Sequence, residues 1–415
     1  MQKEDTENTG RILIAGAGIG GLSAALALAR RGLRSYIIER APEIQEIGAG
    51  VQIGPNAFRA FTRLGIAAEM AAISFAPGAL VLLDSVTGTE LSRQTLGLPF
   101  EAAFGHPYRV AHRADVQLAL LKAAQKLPEW ISIGLGDGLA VFTQHDGGVA
   151  VTLESGKTLI GSALIGADGI RSAVRAQSLD AAPPRNSGHV AYRAVLKIED
   201  VPRDLLTDNV QIWIGPGHHL VCYKLRQGRL FNIVAMIESD RQEEGWNTQG
   251  DPAALAAGFA EAGPAVQALL GQISNWRLWT LCDREPAPGW SQGRVTLLGD
   301  AAHPTLPYLA QGACMAIEDA VALADALADT ADIETALRNY ESARFARTAS
   351  VQLAARRTGE VNHARGAARE ARNAELLRRG ASADYGAIAW LYGSDGPQPD
   401  QERQSNFSVF GKVKP

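Results

Sequence analysis

The chain has 415 residues, 46% hydrophobic and 20% charged, with a formal net charge of −4 and a pI near 6.1. That length supports a large core and more than one domain. The mildly acidic balance excludes a global attraction to nucleic acid or anionic membrane and favours a small-molecule enzyme. Three widely separated cysteines, Cys222, Cys282 and Cys314, form no CxxC pair. They predict a reducing, cytoplasmic setting and no metal site.

Residues 1–10 read as a polar, flexible leader. The run RILIAGAGIGGLSAALALARRGLRSYIIER, 11–40, follows as strand, glycine turn, helix and second strand. Its internal glycines and the acidic segment before it argue against a signal peptide or a membrane span. Gly16, Gly18 and Gly21 stand in GxGxxG spacing. The first permits the tight turn, the second a close approach of backbone to pyrophosphate, and the third helix packing on the strand. Glu39 lies about twenty residues on, where a carboxylate can bind an adenosine ribose. The motif alone leaves NAD and FAD both open.

A Gly- and Pro-containing loop then leads into a helix over 56–64, capped by Gly65. Gln52 in that loop either reaches a ligand or is simply solvated. Residues 79–95 alternate as a hairpin turning near Thr87 and Gly88. A helix opened by Ala114 or Asp115 follows, with Arg113 just before it. Arg113 suits a phosphate or a surface ion pair equally well. Residues 131–165 read as a meander broken by DG, GG and SG turns, and its last strand delivers Asp168 into a basic turn.

Closely spaced strands over 185–280 predict an antiparallel sheet with one face toward a cavity. His219 and Tyr223, four apart on an extended strand, share a face, and His218 takes the other. A histidine beside a tyrosine suits recognition or deprotonation of a phenol, though either can be a satisfied core residue. In RVTLLGDAAHPTLPYLAQGACMAIEDAVAL, from 294 to 323, a buried strand ends in a turn at Gly299 and Asp300. A Pro-containing loop then leads to a helix starting near Gly312, and His303 reads as structural. The Ala/Arg-rich segment that follows predicts helices that are solvated or face a second copy in a homodimer. Trp390, Leu391 and Tyr392 anchor its end, before a loose tail.

The stretches GAGIGG (16–21), GADGIRS (166–172) and LLGDAAHP (297–304), in this order, resemble those of the class A flavoprotein monooxygenases, the single-component FAD-dependent aromatic hydroxylases. GAGVQIGPNAF, FGHPYRVAHRADV, GHVAYRAV, AQGACMAIEDAV and WLYG are most like the 3-hydroxybenzoate 6-hydroxylases of that family, with salicylate and 6-hydroxynicotinate hydroxylases next. The 6-hydroxynicotinate enzymes carry histidine where this chain has Gln52, and the 3-hydroxybenzoate enzymes glutamine where Pro307 aligns.

The resemblance implies an α/β fold in which a Rossmann-like FAD-binding domain is interleaved with a β-sheet substrate domain. The first covers 11–75, 105–180 and 281–330, and the second 76–104 and 181–280. A C-terminal helical region over 331–395 follows, and 1–10 and 396–415 are flexible tails. It implies that Gly16, Gly18 and Gly21 hold the FAD pyrophosphate, Glu39 and Arg40 the adenosine end, and Arg113 the flavin side. Asp168 serves FAD and NAD(P)H, Gly299 and Asp300 the ribityl or ribose hydroxyls, and amides at Gly312 and Ala313 the flavin carbonyl. Gln52, His219, Tyr223 and Pro307 line the substrate pocket.

The implied reaction is reduction of FAD by NADH or NADPH, then oxygen transfer from a C4a-hydroperoxide to a small aromatic acid whose phenol His219, assisted by Tyr223, deprotonates. No nucleic acid or integral membrane segment is implied. An NAD-dependent dehydrogenase or an FAD-binding redox protein without oxygen insertion are the readings of other classes.

Overall fold

The computed structural model describes residues 10–44, 49–179, 182–241, 246–379, 381–382 and 385–393; of the expected tails, 1–9 and 396–415 lie outside these, as do residues 46–48 of the glycine-containing loop. β1 (Ile12–Ala15), α1 (Ile19–Arg30) and β2 (Ser35–Glu39) form the expected parallel crossover unit. β1 is apolar and buried at every position, as a strand covered on both faces must be. The turn into α1 needs glycine twice. Gly16 has φ +102°, and a Cβ on Gly21 would lie 1.9 Å from the Gly16 carbonyl oxygen.

β3 (Gly50–Ile53), α2 (Pro55–Leu64) and α3 (Ala67–Ile73) follow, α2 ending at a left-handed Gly65. β4 (Ala79–Asp84) and β5 (Glu90–Thr95) make the predicted hairpin. Then come α4 (Leu98–Phe104), β6 (Arg109–His112) and α5 (Arg113–Gln125), so Arg113 is the first helical residue rather than the one before. Of the expected meander, only β8 (Leu139–His145), β9 (Gly148–Leu153) and β10 (Thr158–Gly161) form one. β7 (Ile131–Leu135) instead pairs in parallel with β2, and β11 (Ala163–Gly166) with β1. β11 is buried at all four positions, the mark of a parallel-sheet strand that the short turn before it conceals.

The large sheet is built from β12 (Arg185–Lys197), β13 (Val210–Gly215), β14 (His218–Leu225), β15 (Leu230–Glu238), β16 (Trp246–Gln249) and β17 (Arg277–Asp283), with β4, β5 and the short edge strand β19 (Ala381–Ser382). α7 (Pro252–Gly258) and α8 (Pro264–Gly271) lie between β16 and β17 in sequence. Leu220, Cys222, Ile233 and Ala235 pack with Phe259 and Leu269 in one core cluster. His219, Val221, Tyr223, Val234 and Met236, the alternate positions, line a cavity on the opposite face.

β18 (Val295–Leu297) completes a five-stranded parallel sheet of order β18-β11-β1-β2-β7, and α9 (Gly312–Asp329) packs on α1. α10 (Ile333–Asn362), α11 (Gly366–Arg379), β19 (Ala381–Ser382) and α12 (Ala389–Tyr392) finish the described chain. Among the described residues no helix is long and apolar enough to cross a membrane.

The expectation that the C-terminal arginines are solvated or face a second copy is corrected for the key ones. Arg344, Arg347 and Arg372 are 8%, 8% and 5% exposed. Interior acids account for the first two: Arg344 donates to Asp319 at 2.7 Å and to Glu318 at 2.8 Å, and Arg347 to Glu318 at 3.0 Å. Arg347 also donates to the Trp390 and Leu391 carbonyls at 3.0 and 2.8 Å, which is how α12 is anchored. On α11, Arg369 and Asn373 both donate to the buried Asp84 at the end of β4, each with a bond of 2.6 Å.

Candidate active site

The cavity has a volume of about 420 Å3 and lies between one face of the large sheet and the loops that follow β1, β11 and β18 of the parallel sheet. At one end lie Gly18, Ile19 and Gly20 of the glycine turn, Arg113, Gly299 and Asp300, and Gly312 and Ala313. Two helix N-termini meet there. Neither α1 nor α9 has a side-chain cap, so their first amides and their positive dipole ends are available to an anion or a carbonyl. A Cβ placed on Gly18 would meet nothing within 4 Å, so the space beside that turn is open.

Side chains that do not line the cavity hold this end in shape. Glu39 accepts hydrogen bonds from the Ala17 amide at 2.8 Å and the Ala41 amide at 2.9 Å, and buried Gln117 on α5 donates to the Ala17 carbonyl at 3.0 Å. Asp168 accepts from the Ala173 and Val174 amides through one oxygen, fixing the short helix α6 (Ala173–Ser178). Its other oxygen is buried without a hydrogen-bond partner. Arg175 then donates to the Ala301 and Ala302 carbonyls at 2.9 and 3.0 Å, so the two aspartate-glycine turns are tied to each other.

The Gly299–Asp300 turn rests on a charge cluster at the middle of α9. Asp319 accepts from the Gly299 amide at 3.1 Å, from His303 at 2.6 Å and from Arg344 at 2.7 Å. Burial works to raise the Asp319 carboxyl, but His303 and Arg344 outweigh it and hold it down at about 2. His303 is therefore structural. Asp300 presents its side chain to the cavity and not to that cluster. Surrounding protein pushes its carboxyl up, and Arg113 and His303 pull it partly back. A carboxylate so placed gains by accepting hydrogen bonds from a polyol. The uncapped amides, the open space at Gly18, the orphan oxygen of Asp168 and the cavity-facing Asp300 together fit a dinucleotide.

The other end of the cavity is the front face of the large sheet. His219 and Tyr223 are 1% and 2% exposed and both line it. Burial holds the His219 imidazole down at about 3 and pushes the Tyr223 phenol up, with nearby Arg193 offsetting part of the second effect. Both are thus neutral near pH 7. The Tyr223 ring lies so close to Gly50 that a Cβ there would sit 2.5 Å from its hydroxyl. Gln52 lines the cavity and accepts from the Tyr108 hydroxyl. Pro307 opens a 3-10 turn over Pro307–Leu309 and lines the space between the two ends, with Tyr308 beside it.

Of the expected site residues, Gly18, Gln52, Arg113, His219, Tyr223, Gly299, Asp300, Pro307, Gly312 and Ala313 border one space. Gly16, Gly21, Glu39 and Asp168 shape the turns beside it, and Arg40 is exposed and outside the lining. Sequence reasoning missed Arg193, Tyr108, Asn362 and Tyr392, which also line it. It missed Asp319 and Gln117 as supports too. Acids inside the apolar run of α9 were the available signal for Asp319; nothing local marks Asn362 at the end of α10, and the WLYG stretch marks Tyr392 as an anchor rather than as part of a cavity wall.

A family model described as "FAD binding domain" matches residues 9–357. The chain is 44% identical over 385 residues to 3-hydroxybenzoate 6-hydroxylase of Polaromonas naphthalenivorans, covering 92% of this chain and 95% of that one. HpxO of Klebsiella pneumoniae, solved with FAD and uric acid, is similar at a TM-score of 0.78 and 28% identity, over 89% of this chain and 93% of that one. A salicylate hydroxylase substrate complex has a TM-score of 0.78 and 26% identity, over 99% and 100%.

Proposed function

The chain belongs to the FAD-binding-domain family, as an FAD-dependent aromatic-ring monooxygenase, and from that premise we propose that its substrate is 3-hydroxybenzoate, hydroxylated para to the existing hydroxyl to give 2,5-dihydroxybenzoate. The observation that carries this reading is that one shared cavity is dinucleotide-fitting at one end and phenol-fitting at the other. When bound, FAD supplies hydride acceptance from a nicotinamide donor and delivery of one dioxygen atom to the ring.

The chain's own residues bind, orient and move a proton. Gly16, Gly18 and Gly21 with the first amides of α1 hold the pyrophosphate, and Glu39 and Arg40 the adenosine side. Arg113, Asp168, Gly299, Asp300 and the amides at Gly312 and Ala313 hold the flavin half at the cavity. His219 takes the phenolic proton, which raises electron density at the ring carbons ortho and para to that oxygen. Tyr223, kept neutral by burial, donates to the phenolate oxygen. Arg193, which lines the cavity near Tyr223, offers a cation to the substrate carboxylate, and Gln52 and Pro307 set the shape of the ring pocket.

The test is a panel of monohydroxybenzoates and hydroxynicotinates given to the flavin-loaded protein, scoring nicotinamide oxidation against product by chromatography. The expected result is one 2,5-dihydroxybenzoate per nicotinamide from 3-hydroxybenzoate. Product from salicylate or 6-hydroxynicotinate alone moves the substrate assignment, and peroxide alone from every compound sinks it.

A further inference from the structure

His219 is not the end of the polar path leading from the cavity. Its Nδ1 lies 2.7 Å from Nε2 of His363, just past the end of α10, which leaves Nε2 of His219 for the cavity. His363 is 4% exposed, and its own Nδ1 is buried without a hydrogen-bond partner. A ring nitrogen of His363, one of His189 and a carboxylate oxygen of Glu238 lie within 4.8 Å of one another. One water can bridge such a span. Glu238 is exposed and pairs with Arg365 at 2.7 Å. A substrate pocket is therefore joined to solvent by two buried imidazoles in series.

We propose that His219 and His363, with Glu238 and His189 at the outer end, form a proton exit, carrying the substrate's phenolic proton from the cavity to solvent; this deepens the function proposed above and rests on it. The phenol O–H bond breaks and its proton joins Nε2 of His219. The Nδ1–H of His219 breaks and that proton joins Nε2 of His363. The proton on Nδ1 of His363 leaves, through a water, to the Glu238 carboxylate and on to solvent.

The substrate is left as a phenolate, and each ring ends neutral in its other tautomer. Transfer in the reverse direction, to the product's oxygen, restores the starting tautomers. A single buried histidine has no comparable route. Burial disfavours the imidazolium of both rings, so a proton taken by His219 must be passed on rather than kept. Beyond its members the path is faced by His218, Arg185, Arg365, Asp283 and Tyr308. Tyr308 bonds Nδ1 of His189 at 2.6 Å and so fixes the ring at the outer end.

The test compares flavin-loaded wild type with His363→Gln and with Glu238→Gln, whose exposed position keeps the comparison available if the first variant fails to fold. Oxidised protein is mixed with 3-hydroxybenzoate near pH 7 in a stopped-flow instrument, in H2O and D2O. Ultraviolet absorbance follows the appearance of bound phenolate, and flavin absorbance follows binding. His363→Gln is expected to bind the ligand at the wild-type rate but to form phenolate slower by on the order of 10². Glu238→Gln is expected to be slower by about tenfold, with the rate restored by small proton-accepting buffers that reach the exposed end. A purely structural role for His363 would change ligand affinity and leave both the rate after binding and its isotope effect alone. Variants within twofold of wild type overturn the exit while leaving the proposed substrate intact. A wild type that binds no monohydroxybenzoate overturns both.

Discussion

Asp300 and His219 face one cavity under opposite demands. Asp300 opens onto the cavity, the protein around it raises its carboxyl, and it benefits from any ligand that donates hydrogen bonds to it. Asp300→Ala should therefore purify largely without FAD, read as the ratio of flavin to protein absorbance; a variant with full flavin content contradicts its assignment. His219 is buried and neutral, so it can accept a proton and gains nothing by keeping it. His219→Ala should keep its flavin and lose hydroxylation by on the order of 10². Unchanged turnover removes it from the chemistry. Both residues were legible in the sequence, one from the LLGD strand end and one from its spacing to Tyr223. His363 was not, because its partner lies 144 positions earlier and no local pattern pairs them.

The strand, turn and helix from β18 to α9 show how an element carries a site. The apolar strand and the turn were readable locally. What fixes the turn was not, since Asp319 joins Gly299, His303 and Arg344, which is 25 positions away on another helix. Removing one partner from such a buried ionic cluster costs roughly 3–5 kcal/mol. Asp319→Ala should lose about that much stability in urea unfolding and lower flavin retention as well; unchanged stability contradicts the structural role given to the cluster.

α11 is tied to the large sheet by the same means. Asp84 accepts from Arg369 across 285 positions, which is why the arginine-rich segment reads as solvated from sequence alone. Asp84→Ala should expose α11 to proteolysis before the rest of the chain, and simultaneous cleavage throughout contradicts that tie.

Across the whole molecule the interior carboxylates set the acid limit. Burial works to raise Asp84, but hydrogen bonds from Arg369, the Thr87 amide and Asn373 outweigh it and bring the carboxyl from 3.8 to about 2. Glu318 and Asp319 are likewise held at about 2 by their arginine and histidine partners. The unfolded chain thus binds more protons than the fold between about pH 4.5 and 2, so this stabilisation is complete above that window and is lost as pH falls through it. His218 and His219, held neutral by burial, add a penalty to the fold as pH drops below 6.5.

Melting temperature should decline gently below pH 6.5 and steeply below pH 4; a flat profile from 5 to 3 contradicts the network. The two-sheet architecture was legible from periodicity and three motifs, whereas the cavity's closure by Tyr392 and Asn362 required the chain's end to fold back over its middle. If this cavity couples FAD chemistry to a phenolic acid, 18O2 traces the coupling directly. With 3-hydroxybenzoate and a nicotinamide donor, one labelled atom should appear in 2,5-dihydroxybenzoate for each nicotinamide oxidised. Nicotinamide consumed with all the label in peroxide and none in the aromatic ring would mean that the cavity does not join flavin to this phenol.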